Sequence, residues 1–264
     1  MYRFDYQRPA TRADALAACE GDARYLAGGQ SLVQAMKLRM SASERLVDLG
    51  GIDGMTGIRV EGGQVVVGAM ARHADVAASA EVRRALPALA ELAEGIGDPA
   101  VRSMGTLGGA LANADPAACY PAAVLALDAT LHTDRRAIAA ADFFTGIYQT
   151  ALEPGELLTE VTFPLAPQAA YLKLRQPASR FAIVGVFVAR TAGGVRVAVT
   201  GARASVYRET ALEAALEASF TPAAAQAVKL DPEGLNDDLH ASAAYRAAMI
   251  STMAARAVER ALAR

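Results

Sequence analysis

The pattern of apolar and polar positions along the chain predicts a mixture of short strands and short helices. In the first part, the apolar runs are only three or four residues long and end at glycines, which is typical of strands followed by turns. The predicted strands lie at 25–27, 46–49, 58–60 and 65–68. The last two flank Gly62 and Gly63, and this arrangement predicts a β-hairpin.

Helical spacing of apolar residues occupies other stretches of the same region. The predicted helices lie at 11–20, at 31–38 and over 72–94. Thr11 and Ser31 are the predicted N-caps of the first two, and Pro87 is expected to begin a new turn or helix within the third. Further along, the apolar run 122–131 predicts a helix leading into a strand, and 157–163 predicts a strand after a Pro-Gly turn.

The pattern changes near residues 166–170. Residues 171–208 alternate two or three strands around the turn Ala192-Gly193-Gly194, and 208–230 and 239–263 then read as helices. The sequence therefore predicts an α+β protein with a mixed N-terminal domain, 1–168, and a C-terminal domain, 169–264, built from a hairpin and helices.

Composition narrows the class of protein. The chain has 264 residues, of which 53% are apolar and 20% charged, and this is typical of a globular protein. No apolar run approaches 18 residues and the N-terminus lacks the order of a signal peptide, so we expect a cytoplasmic protein without a membrane span. Because the net charge is −2, without an excess of basic residues, we do not expect nucleic acid as a partner.

Metal and nucleophile chemistry find little support in the sequence. The cysteines, Cys19 and Cys119, are far apart and cannot supply four ligands to zinc or to an iron–sulfur cluster. The three histidines are isolated, so no metal site is expected. His73 is expected to cap or pack near a strand end, because no carboxylate or nucleophile accompanies it in sequence.

Two glycine loops are the candidate binding elements. They are Gly28-Gly29-Gln30-Ser31 and Thr106-Leu107-Gly108-Gly109, and neither fits the P-loop or the GxGxxG dinucleotide pattern. Glycine gives a ligand close access to backbone N–H groups, and a hydroxyl beside each loop adds a donor. From the residues alone, ordinary turns and a two-sided clamp for a diphosphate both remain open.

The amino-acid sequences of both loops resemble those of one protein family. AGGQSLVQAMKLRM (27–40) and IGDPAVRSMGTLGGALANADPAACYPAAVLALDATL (96–131) are similar to segments of the FAD-binding medium subunits of molybdenum hydroxylases, a group that includes xanthine dehydrogenase and aerobic carbon monoxide dehydrogenase. DFFTGIYQTALEPGELLTEVTFP, YLKLRQPASRFAIVGV and DDLHASAAYRAAM continue the similarity in the same order. The resemblance thus covers nearly the whole chain.

The resemblance implies a fold and a cofactor. The fold is an FAD-binding domain of the vanillyl-alcohol-oxidase-like (PCMH) type, with subdomains of about 1–55 and 56–168, followed by a C-terminal domain with a small antiparallel sheet and helices. FAD would lie between the subdomains, with its diphosphate on the two loops. The cofactor-binding residues carried over are Ala27, Gly28, Gly29, Gln30, Ser31, Leu32, Thr106, Leu107, Gly108, Gly109, Ala110, Asn113, Asp115, Leu158 and Lys173.

Several of these positions depart from the family pattern or have individual roles in it. Ala110 stands where serine or asparagine is frequent, Asn113 replaces a common histidine, and Cys119 stands where an aspartate is usual. Leu158 matches an aliphatic residue that packs near the flavin ring, and Lys173 matches a basic residue near its polar edge.

The resemblance implies that the chain would be an electron-transfer subunit with no catalytic residue or metal of its own. A large subunit would carry the molybdenum cofactor and a small subunit the [2Fe-2S] centres, with a dimer of heterotrimers as the expected assembly. Electrons would reach FAD from the iron–sulfur centres and leave to an external acceptor. Two alternatives remain open: a self-contained FAD oxidoreductase, and a structural subunit with a degenerate flavin site.

Overall fold

The computed structural model describes all residues, Met1–Arg264. The first unit is a three-stranded parallel sheet in the order β1-β3-β2, with short helices in its crossovers. Its elements are β1 (Asp5–Gln7), α1 (Arg12–Ala18), β2 (Ala23–Leu26), α2 (Leu32–Lys37), β3 (Arg45–Asp48) and a 3₁₀ turn at Leu49–Gly51. Strand β1 is exposed along its length and was not predicted from the sequence.

The second unit is a five-stranded sheet in the order β4-β5-β10-β6-β7, whose neighbouring strands are all antiparallel. Its elements in chain order are β4 (Ile58–Glu61), β5 (Gln64–Gly68), α3 (His73–Ala78), α4 (Ala80–Ala85), α5 (Pro87–Glu94), α6 (Pro99–Met104), α7 (Leu107–Asn113), α8 (Tyr120–Ala126), β6 (Thr130–Thr133), β7 (Ala137–Ala139), α9 (Ala140–Phe143), β8 (Phe144–Gly146), β9 (Gln149–Thr150) and β10 (Leu158–Pro164). Strands β8 and β9 form a separate small hairpin.

The predicted hairpin at β4 and β5 is confirmed. Glu61 pairs with Gln64, and the two residues between them, Gly62 and Gly63, have φ values of 57° and 74°. A two-residue turn with positive φ at both positions suits the right-handed twist of the flanking strands, and glycine adopts it without strain.

The third unit is a four-stranded antiparallel sheet, β11-β12-β13-β14, covered by three helices. Its elements are β11 (Ala169–Arg175), β12 (Ala182–Thr191), β13 (Gly194–Thr200), β14 (Tyr207–Arg208), α10 (Thr210–Ala218), α11 (Pro222–Ala227) and α12 (Ala243–Leu262). This small sheet with helices confirms the predicted α+β class. The division into domains at residues 55 and 168 stays a prediction.

Residues 182–189 of strand β12 are buried on both faces, and this explains their uninterrupted run without polar side chains. Val184, Val186 and Val188 belong to the C-terminal hydrophobic cluster, whereas Phe187 and Ala189 belong to the larger cluster of the N-terminal units. Successive side chains of a strand point to opposite faces, so this part of β12 separates two cores and carries no polar side chain on either face.

The buried face of α12 follows helical spacing. Ile250, Met253, Ala254, Ala257, Val258 and Ala261 are fully or almost fully buried. Arg246, only 2% exposed, fastens the helix at its start: its guanidinium donates to the carbonyls of Ile183 and Gly201 and forms a bidentate pair with Asp238.

Several predicted helices have different bounds in the structure. The predicted helix 72–94 is three helices, α3 to α5, because Ser79 caps α4 and Pro87 begins α5. The predicted helix 208–230 is divided into α10 and α11, since Thr221 and Pro222 begin a new helix. No helix of the structure is long and apolar enough to span a membrane.

Candidate functional site

A cavity of about 310 Å³ lies where the two glycine loops meet. Most of the predicted cofactor-binding residues line it, namely Ala27, Gly28, Gly29, Gln30, Ser31, Leu32, Thr106, Gly108, Gly109, Ala110, Asn113 and Leu158. Leu107, Asp115 and Lys173 do not line it. The structure therefore brings together residues as far apart in the sequence as Ala27 and Leu158.

The first loop follows β2 and presents unused hydrogen-bond donors. The backbone N–H groups of Gly28, Gly29, Gln30 and Ser31 donate to no acceptor within the chain. Gly29 has a φ of 69°, in the left-handed region that glycine adopts readily. Consecutive free amides in such a turn form a concave site for an anion.

The two polar side chains of the first loop make few hydrogen bonds within the chain. Ser31 occupies the N-cap position of α2, but its side chain makes no capping hydrogen bond, so its hydroxyl remains available to a ligand. The amide nitrogen of Gln30 lies 3.5 Å from the carbonyl oxygen of Gly28 and braces the loop weakly.

The second loop differs from the first because all of its backbone amides except that of Thr106 already donate within the chain. The N–H groups of Leu107 and Gly108 donate to the carbonyls of Ala71 and Ala69, at 3.0 and 2.8 Å. The N–H of Gly109 donates to the Thr106 hydroxyl at 3.2 Å, which caps α7. Of the backbone amides expected from this loop, only that of Thr106 remains without an acceptor, so the loop offers Thr106 and the side-chain-free surface of its glycines.

The glycines allow the two loops to touch backbone to backbone. A Cβ atom on Gly28 would overlap the carbonyl oxygen of Met104 and lie 2.8 Å from the Cα of Gly105. A Cβ on Gly109 would lie 3.2 Å from the Cβ of Ala27 and 2.8 Å from the Thr106 hydroxyl. Gly28 is therefore needed for the close approach of two backbones, whereas Gly109 leaves room for the side chains of Thr106 and Ala27.

Within the second loop, Leu107 has a packing role and does not face the cavity. Its side chain is fully buried, and it belongs to the large hydrophobic core. The leucine anchors α7 below the cavity, so the Thr-Leu-Gly-Gly sequence alternates one buried residue with residues that face the cavity.

Besides Leu107, two residues of the resemblance lie apart from this cavity, Asp115 and Lys173. The carboxylate of Asp115 accepts from the N–H of Ala117 at 2.8 Å and from the Tyr148 hydroxyl at 3.3 Å, which shapes the turn before α8. The Lys173 ammonium lies 3.3 Å from Cys119 Sγ. Their assignment to the cofactor stays a prediction.

Sequence reasoning missed several residues of the cavity wall. They are Arg24, Tyr25, Leu26, Leu49, Ala69, Met70, His73, Gly105, Ala112, Leu152, Glu156 and Leu157. Glu156 carries a buried carboxylate held by Arg136 at 2.9 Å and by Thr133 at 2.8 Å. The Arg136 hydrogen bond lowers the pKa of Glu156 from 4.5 to about 2, so this carboxylate is ionised. A Pro-Gly turn precedes it in sequence, but nothing there indicates the buried pair.

A second cavity of about 360 Å³ adjoins the first along the loop 26–29. The two share Leu26, Ala27, Gly28, Gly29, Leu49, Met70 and Thr106, so together they form an elongated groove. Arg8 and Arg72 line the second part of the groove, and Asp48 lies beside Arg8. Free amides at the centre of a long groove fit the diphosphate of a dinucleotide cofactor.

Comparison with known proteins supports this interpretation. The family described as "FAD binding domain in molybdopterin dehydrogenase" matches residues 2–166. The carbon monoxide dehydrogenase medium chain of Hydrogenophaga pseudoflava is 36% identical, with 99% of this chain and 98% of that protein covered. The nicotine 6-hydroxylase medium subunit of Paenarthrobacter nicotinovorans is 32% identical, with 98% and 97% covered.

Solved structures show the same architecture. Reconstituted CO dehydrogenase from Oligotropha carboxidovorans has a chain that superposes with a TM-score of 0.89 at 35% identity, and the match covers 100% of this chain and 99% of that chain. Since the similarity extends through both the FAD-binding and the C-terminal units, the chain belongs to the FAD-binding family of the molybdopterin dehydrogenases and is a flavoprotein subunit of the molybdenum hydroxylase type.

Proposed function

We propose that FAD lies along the groove with its diphosphate on the free amides of residues 28–31. The observation that carries this proposal is the set of unused N–H donors beside a contact between two glycine loops. Thr106 and Ser31 supply hydroxyls, and the loops provide close access because their glycines have no Cβ. Leu158 and its neighbour Leu157 supply an apolar wall for the flavin end.

The bound flavin supplies electron-transfer chemistry between the [2Fe-2S] centres of a small partner subunit and an external acceptor. The residues of this chain bind and orient the cofactor and give it a fixed environment. A large subunit carries the molybdenum cofactor and the substrate site. Support comes from the medium chains of multi-subunit dehydrogenases to which the chain is similar, and from its two cysteines, too few for a cluster.

The finer assignments are part of this proposal. Carbon monoxide dehydrogenase-like and N-heterocycle or xanthine dehydrogenase-like complexes both have relatives among the matches. The dimer of heterotrimers and the cytoplasmic location stay predictions.

Replacing Gly109 tests the diphosphate position. Gly109→Asp adds a negative charge between Thr106 and Ala27, whereas Gly109→Asn adds similar bulk without the charge. We expect the aspartate variant to lose FAD and the asparagine variant to retain more of it, because like charges repel in a partly dry site. FAD released by denaturation and measured by absorption gives the content. Equal, undiminished FAD in both variants would contradict the proposed position.

A second experiment separates the alternatives. The purified chain is supplied with FAD and with candidate small substrates and electron acceptors. Turnover by the chain alone would favour a self-contained oxidoreductase. Assembly with the partner subunits in the absence of any flavin would favour a structural subunit.

A further inference from the structure

His73 is the one buried polar side chain on the wall of the first cavity that has no partner. The residue is 5% exposed, and neither ring nitrogen makes a hydrogen bond within the chain. Nδ1 is sealed from solvent. Nε2 is not sealed, so it is the nitrogen that a molecule in the cavity can reach.

The backbone fixes this imidazole beside the second glycine loop. The N–H of His73 donates to the carbonyl of Gly105 at 2.9 Å, and the N–H of Leu107 donates to the carbonyl of Ala71 at 3.0 Å. These two bonds flank a bridge between Arg72 and Thr106. His73 is therefore held in register with the residue that precedes Thr106.

Gly105 makes room for the ring. A Cβ atom at this position would lie 2.6 Å from Nε2 of His73 and 2.9 Å from its Cδ2. On another side the ring packs against the fully buried Tyr120, with centroids 5.3 Å apart. The imidazole is thus fixed by its surroundings, with Nε2 next to the loop that carries Thr106.

The charge state follows from the same surroundings. Burial lowers the pKa of His73 to about 4, and the neighbouring Arg102 guanidinium acts in the same direction. At neutral pH the ring is therefore uncharged, with one N–H group and one lone pair. An anionic group in the cavity can only accept a hydrogen bond, so the tautomer that binds it carries the hydrogen on the accessible nitrogen, Nε2.

We infer that His73 is a cofactor-binding residue that donates a hydrogen bond from Nε2–H to the diphosphate of bound FAD. This inference rests on the proposed position of FAD along the two loops. In the second loop, the backbone N–H groups of residues 107–110 already donate to acceptors within the chain. On this side of the clamp His73 adds a donor to the two that Thr106 provides, its backbone N–H and its hydroxyl.

Paired substitutions test which nitrogen acts. His73→Gln places an amide nitrogen near the position of Nε2, whereas His73→Asn places one near Nδ1. A hydrogen bond to a charged acceptor contributes about 1.5–3 kcal/mol, which corresponds to a loss of roughly 10-fold or more in affinity. We expect His73→Gln to bind FAD within about threefold of the unaltered chain and His73→Asn to bind about 10-fold more weakly, as measured by quenching of flavin fluorescence on the full chain.

A structural role for the ring would give a different result. Equal affinities of His73→Asn and the unaltered chain would overturn the inference, and so would equal losses in both variants. If Gly109→Asp abolishes binding while the His73 variants do not, only the role of His73 falls. If Gly109→Asp has no effect either, or the unaltered chain binds no FAD, the proposed diphosphate position falls with it.

Nitrogen NMR gives a readout that does not depend on affinity. The chain has only three histidines, and Nε2 of His132 lies 3.0 Å from the Thr162 hydroxyl, which provides an internal reference. We expect His73 to show the hydrogen on Nε2 in the FAD-bound chain, and FAD to shift the Nε2 signal most. A hydrogen on Nδ1 in the bound chain, or an Nε2 signal unchanged by bound FAD, would overturn the inference.

Discussion

The ammonium of Lys173 donates to Sγ of Cys119 across 3.3 Å and to the carbonyl oxygen of Arg180 at 2.8 Å. Cys119 stands where the family resemblance leads us to expect an aspartate. The structure shows that the exchanged position faces the side chain of Lys173, which forms no ion pair with any carboxylate of the chain. The two residues, assigned separately from the sequence, are therefore one local unit.

This contact predicts that the effect of Cys119→Asp on the free energy of unfolding depends strongly on whether Lys173 is present. Cys119 is 5% exposed, so Cys119→Asp buries a carboxylate that needs the lysine as its partner. We expect Cys119→Asp to cost about 3 kcal/mol more of the free energy of unfolding in a Lys173→Met background than in the native one. Urea denaturation of the four chains measures this difference, and equal costs in the two backgrounds would refute it.

The close approach of Gly28 to the backbone of Met104 predicts that adding a single methyl group at position 28 lowers stability and FAD binding. Gly28→Ala forces the Cβ into the backbone of Met104 and Gly105, and we expect a loss of about 1–3 kcal/mol together with weaker FAD binding. Gly57→Ala is the matched control, because its Cβ meets no atom within 4 Å. Thermal denaturation and FAD titration of both variants check this, and an unaltered Gly28→Ala chain would show that the loops can separate freely.

Thr106 combines a structural and a binding role that two variants can separate. Its hydroxyl caps α7 by accepting from the N–H of Gly109, and its hydrogen remains free for a ligand. Thr106→Val removes both, and we expect about 1 kcal/mol of lost stability and a lower FAD content. Thr106→Ser keeps the hydroxyl and is expected to retain the cofactor. A serine variant as poor as the valine variant would assign the effect to packing.

The lowered pKa of Glu156 predicts that the protein loses stability in acid. Its pKa is lowered from 4.5 to about 2, chiefly by the hydrogen bond from Arg136, so folding favours the ionised form. The resulting stabilisation is complete above about pH 4.5 and is lost as the pH falls towards 2. Between pH 5 and pH 2.5 we expect the urea midpoint of Glu156→Gln to fall less than that of the native chain.

The exposed carboxylate of Glu81 provides the control for this experiment. Glu81 lies in the first turn of α4 and forms no ion pair within the chain. Glu81→Gln is expected to show the same decline as the native chain. A parallel decline in all three proteins would mean that other groups govern the acid transition.

Local patterns were sufficient to predict much of the fold. The β4–β5 hairpin follows from two glycines between β-branched runs, and the turn at Ala192-Gly193 follows from the same signal. The bounds of the helices were less accurate, because interruptions such as Ser79 and Thr221 depend on whether a side chain caps the next helix or stays within the previous one. Strand β1 carries no apolar pattern, since it is held by backbone pairing with β3.

The site was predictable as a pair of loops but not as a set of hydrogen bonds. The sequence gives no sign that Gly108 donates to Ala69 whereas Gly29 donates to nothing, because that difference depends on which backbone lies opposite each loop. For the same reason, His73 was expected only to cap or pack near a strand end. Its position beside Gly105 arises from pairing between segments 32 residues apart, which no local motif records.

The contact between Gly28 and the backbone of Met104 also has an evolutionary consequence. The width of the groove at this point is fixed by main-chain atoms, and these are common to all amino acids. Side chains around the groove, such as Ala110 and Asn113, can therefore drift without altering the gap between the loops. Sequence divergence in such a protein is expected to retune cofactor affinity and potential gradually, while the glycines at the contact admit almost no neutral replacement.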